Sequence, residues 1–307
     1  MIKWPYNKDF AFTIVDDTDH SALNTVKPIY ELLEKLQFKT TKTVWVNHVN
    51  NCFASTATLK DPEYLVFISD LKAKGFEIAL HGVAGDSSSR ENIIEGLHYY
   101  EKVLKEYPKI HVNHMNNLDN IHWGKERLRF YRKYGFFRQN ASASFGHDKQ
   151  SMYFWGDLCK KHIKYARGKC FNDINTLKID PFMPYSEKRF PCVNAWFSCS
   201  DGATPVLANQ TLSKKNQERL AKEHGLCILY THFGVSGFVD DNYEVNHEFK
   251  ENLTALSQKN GWFAPASEIL DCLLQKGIKH LTTHQEIQIL LNILILNIKN
   301  KIWQKLK

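Results

Sequence analysis

Short apolar runs alternate along the chain with longer segments whose apolar positions recur every three or four residues. Residues 10–15 predict a first strand, closed by the polar run Asp16-Asp17-Thr18-Asp19. Ser21 then stands as an N-cap before Val26, Ile29, Leu32, Leu33 and Leu36, which share one helical face. Residues 43–46 predict a second strand. Pro62 opens a helix carrying Leu65, Ile68 and Leu71, and Gly75 stops it. A third strand over residues 76–80 ends on His81-Gly82, and Ser87-Ser88-Ser89 leads into a helix with Ile93, Ile94, Leu97 and Leu104. A fourth strand over residues 110–112 has His114 just beyond it.

The middle of the chain is less regular. Residues 125–134 have helical spacing, and Phe136-Phe137 opens an expected fifth strand. Residues 148–204 are dense in aromatics and prolines, with strand candidates at 164–166 and 193–197, and read as insertions within one domain. Regularity returns with a helix over 213–224, a strand over 227–230 ending on Thr231-His232-Phe233-Gly234, a helix over 248–258 and another from Pro265. Repeated strand–helix units predict a parallel sheet, open or closed into a barrel. In either arrangement a functional site belongs at the carboxyl ends of the strands. One domain over residues 1–280 is expected, followed by a tail over 281–307.

Composition narrows this only a little. Hydrophobic residues at 43% and charged residues at 24% suit a globular domain and exclude disorder. The net charge of +7 suits an anionic substrate or a membrane surface. Nucleic acid is not the expected partner, since the basic residues are dispersed and no recognised binding motif is present. Seven scattered cysteines without a CxxC pair indicate neither a zinc ribbon nor a redox pair. No apolar leader follows Met1, so a cytoplasmic address is expected. No stretch reaches the roughly 18 apolar residues of a spanning helix.

Four strand ends carry the residue types of a catalytic metal site: Asp16 and Asp17 after the first strand, His81 after the third, His114 after the fourth and His232 after the late one. Adjacent carboxylates on an extended segment point in different directions, so one can bind an ion while its neighbour faces the attacking water. Two histidines and a carboxylate form a usual zinc-type shell with positions left for water and substrate. Asp19 reads as a helix cap or turn former.

Phe12-Thr-Ile-Val-Asp16-Asp17 resembles the TFDD motif of the polysaccharide deacetylases, the NodB-homology, carbohydrate esterase family 4 type. Glu77-Ile-Ala-Leu-His81-Gly and Leu229-Tyr-Thr-His232 resemble that family's second and late motifs, in the same order, over about residues 8 to 275. The resemblance implies a distorted (β/α)7 barrel with parallel strands. It further implies Asp16 as base, Asp17 and His81 as ligands of a divalent metal (zinc, with nickel, cobalt or manganese as alternatives) and His232 as general acid. The implied reaction removes an acetyl or other acyl group from an N-acetylated sugar or glycan. A cytoplasmic address would make that substrate a nucleotide- or lipid-linked precursor. A silent glycan- or partner-binding barrel, or a hydrolase of another amide or ester on the same fold, are the competing readings.

The departures are specific. The family's second motif is HxxxH, and four residues after His81 this chain has Gly85. His114 is the first choice for the missing ligand, with His20 and Asp86 as alternatives. The family's third motif, an Arg followed by Pro, is not visible where it is expected. Asn116 and Asn117 are candidates for holding a sugar, and Arg90 for anchoring an anionic group. The tail from Glu286 places Ile287, Leu290, Leu291, Leu294, Ile298, Ile302 and Trp303 at helical spacing among lysines. Such an amphipathic helix can lie on an anionic membrane, here the inner membrane surface. It can equally pack on the barrel, or on a second copy of the chain in a homo-oligomer.

Overall fold

The computed structural model describes residues 2–123, 144–275 and 277–305, the last segment with side chains to residue 300. Seven parallel strands close on themselves: β1 (Phe10–Asp16), β2 (Thr41–Val44), β3 (Glu77–Leu80), β4 (Ile110–His111), β5 (Tyr165–Phe171), β7 (Ala195–Asp201) and β8 (Leu226–Thr231), with β8 returning to β1. This is the expected (β/α)7 barrel. A short β6 (Tyr185–Ser186) hangs antiparallel on β7 and in turn pairs with β10 (Lys279–His280).

The barrel is distorted at β1. Its upper half pairs with β2 through Val15↔Thr41 and Asp16↔Lys42. Its lower half pairs instead with β9 (Gly261–Phe263), through Phe10↔Gly261 to Phe12↔Phe263. Aromatic packing of Phe12 and Phe38 on Phe263 fills the seam. A second irregularity lies in β5, where the register shifts between Arg167 and Lys169. A bulge re-aims the side chains beside it, and here it falls next to the site.

Helices Leu23–Lys35, Pro62–Ala73, Arg90–Leu104, Lys214–Lys222, His247–Ser257 and Ala266–Leu273 accompany the barrel. Pro62 occupies the first helical turn, and the Ser89 hydroxyl accepts from the Asn92 amide as an N-cap. Two strands are longer than their apolar runs suggest. β7 continues through Ser198, Cys199 and Ser200 because Ser198 donates to Asp180, and Thr176 and Ser200 pair through their hydroxyls. β5 runs on from residue 166 to Phe171. It also takes the fifth place in the barrel; the expected elements at 125–134 and 136–137 lie outside the described residues.

The tail forms one helix, Thr283–Lys305. Ile289, Ile293 and Leu296 are buried, Asn292 Nδ2 donates to the Ile179 carbonyl at 3.1 Å, and Glu286 pairs with Arg189 at 2.7 Å. One face of the helix is therefore packed on the barrel. Among the described residues no helix is long and apolar enough to cross a membrane.

Candidate metal centre

At the carboxyl end of the barrel the Asp19 carboxylate sits between two imidazoles. Its Oδ2 lies 2.9 Å from His81 Nε2 and its Oδ1 lies 3.0 Å from His114 Nε2. Both histidines are fixed from behind. His81 Nδ1 is 3.1 Å from the Val112 carbonyl, and His114 Nδ1 is 3.0 Å from Asn117 Oδ1. A carbonyl can only accept, so each Nδ1 carries its proton and each Nε2 is turned toward Asp19, the orientation from which imidazoles bind metals. One carboxylate and two imidazoles suit zinc and its neighbours. On this donor chemistry the residues fit a divalent cation. Asp17, Asp19 and His232 form a second acidic and imidazole group that shares Asp19 with the first.

Aromatic rings hold this arrangement. The Trp45 indole lies parallel to His81 with centroids 6.0 Å apart and donates to the His81 carbonyl at 2.8 Å. Trp45 and Phe53 both meet His114 edge-on, at 5.2 and 5.0 Å. Trp45 also explains Gly85: a Cβ there would stand 2.5 Å from the indole ring. The space that a side chain four residues after His81 would need is filled by Trp45, and His114 reaches the site from β4 instead. Gly85→Ala should therefore destabilise the fold by about 1–3 kcal/mol, read from the denaturant midpoint.

The two leading carboxylates part company as alternation along an extended segment requires. Asp16 points outward, between the barrel and its helices. It pairs with Lys42 at 2.8 Å, accepts from Tyr30 at 3.2 Å and from the Phe233 amide at 2.8 Å, and both charged side chains are wholly buried. Burial opposes the Lys42 charge, but the Asp16 carboxylate beside it prevails and holds the ammonium above its usual pKa. Asp17 points inward. Arg167 grips both its oxygens through two parallel hydrogen bonds, one of 2.8 Å to Oδ1 and one of 2.5 Å to Oδ2.

Asp17 Oδ2 stands 3.7 Å from His81 Nε2 and 4.0 Å from His232 Nε2. His232 faces Asp19 at 3.8 Å, its Nδ1 lies 3.0 Å from the Ala203 carbonyl, and the Tyr230 hydroxyl is 3.0 Å from its Nε2. Tyr230 stacks over the Arg167 guanidinium at 4.2 Å. Burial, reinforced by the Asp17 charge, pushes its pKa well up, so Tyr230 serves as a neutral donor.

Of the residues singled out in the sequence, the structure thus gathers Asp17, His81, His114 and His232 and leaves out Asp16, the expected base, because Lys42 occupies its carboxylate. Asn117 turns inward rather than toward a sugar: its amide donates to the Ala84 and Asp86 carbonyls while its oxygen orients His114. Arg90 is no free anion anchor either, since it makes a bidentate pair with Asp157 at 2.8 Å and donates to the Phe154 carbonyl. Asn116 is exposed, with a left-handed φ of 69°. His20 is exposed with its ring against Phe53, and Asp86 is exposed and caps the Ser87 amide. Neither belongs to a ligand group among the described residues. His111 is a separate group; burial pushes its pKa down to about 4, and its Nε2 lies 3.0 Å from Asn113 Oδ1.

Asp19, Arg167 and Tyr230 escaped the sequence reading. Asp19 had a signal: it stands two residues after Asp17, the spacing that places side chains on one side of an extended chain. Arg167 had a weaker one, as a lone arginine in Tyr-Ala-Arg-Gly.

No protein-family profile matches the chain, and no curated protein is similar to it in sequence. Solved structures are similar. A protein assigned as a polysaccharide deacetylase from Mycobacterium smegmatis superposes with a TM-score of 0.54 at 14% identity, over 92% of this chain and 96% of that one. The fold is that of the polysaccharide deacetylases. It extends to a GH57-type branching enzyme from Pyrococcus horikoshii, with a TM-score of 0.51 at 10% identity over 88% of this chain and 72% of that one. In the deacetylase-type barrel of this chain, the ligand group and the Asp17–Arg167 pair occupy the strand ends where function is placed on general grounds.

Proposed function

We propose that the protein is a metal-dependent hydrolase that removes an acyl group from nitrogen on a sugar or glycan precursor. The observation that carries this reading is the Asp19–His81–His114 donor set, lying beside an inward carboxylate, Asp17, that Arg167 grips through two hydrogen bonds. A divalent ion held by Asp19, His81 and His114 would polarise the acyl carbonyl and lower the pKa of a water molecule. Asp17 is the base: its carboxylate takes the proton as the water oxygen adds to the carbonyl carbon. Arg167 orients that carboxylate through its two hydrogen bonds. His232, protonated at Nε2, gives its proton to the nitrogen as the C–N bond breaks, and the Ala203 carbonyl steadies its other nitrogen. Tyr230 holds the His232 ring in place at 3.0 Å and braces Arg167. The products are a carboxylic acid and a free amine. The net charge of +7 supports an anionic, nucleotide- or lipid-linked substrate.

Elemental analysis of purified protein tests the ligand set. About one divalent ion per chain is expected in wild type and in Asp17→Ala, and a clear loss in Asp19→Ala, His81→Ala and His114→Ala. Retention in Asp19→Ala would overturn the assignment. Acetate release from N-acetylated sugar nucleotides then tests the substrate class.

The same ligands predict a pH dependence. Burial pushes the Asp19 carboxyl up, but the charge of His81 and hydrogen bonds from His114 and His81 outweigh it and hold it well below the usual carboxylate range. Burial lowers His114, but its hydrogen bond to Asp19 and the charge there raise it above the usual histidine value. A proton on His114 must therefore leave before a metal binds. Metal affinity should fall as the pH drops through the raised His114 pKa, more steeply than for His114→Ala, as measured by zinc competition titrations.

A further inference from the structure

The helix Thr283–Lys305 has two faces. The inner one is spent on the barrel through Ile289, Ile293 and Leu296. The outer one carries Ile287, Leu291, Ile295 and Ile298, which are 41–52% exposed and fall at i, i+4, i+8 and i+11 on a single stripe. Lone exposed aliphatics are ordinary, but an aligned row of four is an interaction surface.

Charge indicates what covers it. From residue 283 onward the sequence has one acidic residue, Glu286, against four lysines, Lys299, Lys301, Lys305 and Lys307, with Trp303 among them. Glu286 is already neutralised by Arg189. The stripe therefore runs into a lysine-rich end on a chain of net charge +7, which suits an anionic surface. The helix stays on the barrel as far as Asn300, whose Nδ2 lies 3.5 Å from the Asn172 carbonyl just past the end of β5.

We propose that this helix docks the protein on an anionic lipid surface. Its aliphatic stripe enters the boundary between headgroups and acyl chains, and its lysines contact lipid phosphates.

Co-sedimentation of the full chain with vesicles tests the docking without any reference to hydrolysis. Binding to phosphatidylcholine vesicles containing about one third phosphatidylglycerol should exceed binding to pure phosphatidylcholine by about tenfold or more, and should weaken with salt. Leu291→Ser/Ile295→Ser should abolish it. Lys299→Gln/Lys301→Gln/Lys305→Gln should remove the preference for anionic lipid. Leu291, Ile295 and Lys299 are exposed, and an unchanged thermal midpoint would show that the variants fold. Absence of binding by wild type, or binding that survives Leu291→Ser/Ile295→Ser, would overturn the proposal. So would a wild-type dimer that does not sediment with vesicles and that the same double substitution turns into monomer, since the stripe would then belong to a second copy of the chain.

Discussion

Asp17→Asn is expected to lower turnover of an N-acyl substrate by roughly 10²- to 10⁴-fold while leaving the bound metal in place. The amide is nearly isosteric with the carboxylate but cannot accept a proton from water. Its loss should therefore fall on kcat with little change in KM, because the base acts only as the water adds. Arg167 should act through that carboxylate. Arg167→Met removes the two hydrogen bonds that orient Asp17, so kcat should fall while the bound metal stays in place. Unchanged kcat in Arg167→Met would mean that the pair is merely structural. Equal loss of metal in Asp17→Asn would instead make Asp17 a ligand, the role its motif resemblance implies.

The second large effect concerns stability. Lys42→Met should destabilise the fold by about 3–5 kcal/mol, because it strands the Asp16 carboxylate in a site where neither partner of the pair touches solvent. Adding Asp16→Asn should restore most of that loss. Asparagine keeps an oxygen for the Phe233 amide, which Asp16 now serves at 2.8 Å, and no longer buries a charge. Denaturant midpoints of the two single variants and the double variant form the required cycle. The double variant also settles the role of Asp16: retained metal and retained activity would confirm that Asp16 is structural, whereas a stable but inactive protein would restore it as the base.

Much of this protein was legible one segment at a time. Strands and helices announce themselves through periodicities of two and 3.6, and the ends of β1, β3, β4 and β8 follow from where those periods break. That was enough to anticipate a parallel barrel and to place His81, His114 and His232 at the carboxyl ends of its strands. The two-faced tail helix was equally visible, because i, i+4 spacing is local.

What the local pattern could not decide was the direction and partner of each carboxylate. Asp16 faces outward because β1 pairs with β2 in the register that sets it beside Lys42. Asp17 is gripped by an arginine 150 residues away. Asp19 meets imidazoles 62 and 95 residues distant, so nothing adjacent to it in the chain separates a metal ligand from a turn former. The missing HxxxH histidine has the same origin, since the bulk of Trp45 closes one position and the path of β4 opens another. Side-chain periodicity is a property of a few consecutive residues, whereas a coordination site belongs to several strand ends at once. The chain by itself determined which ends carry chemistry, and barrel closure decided which atoms meet there.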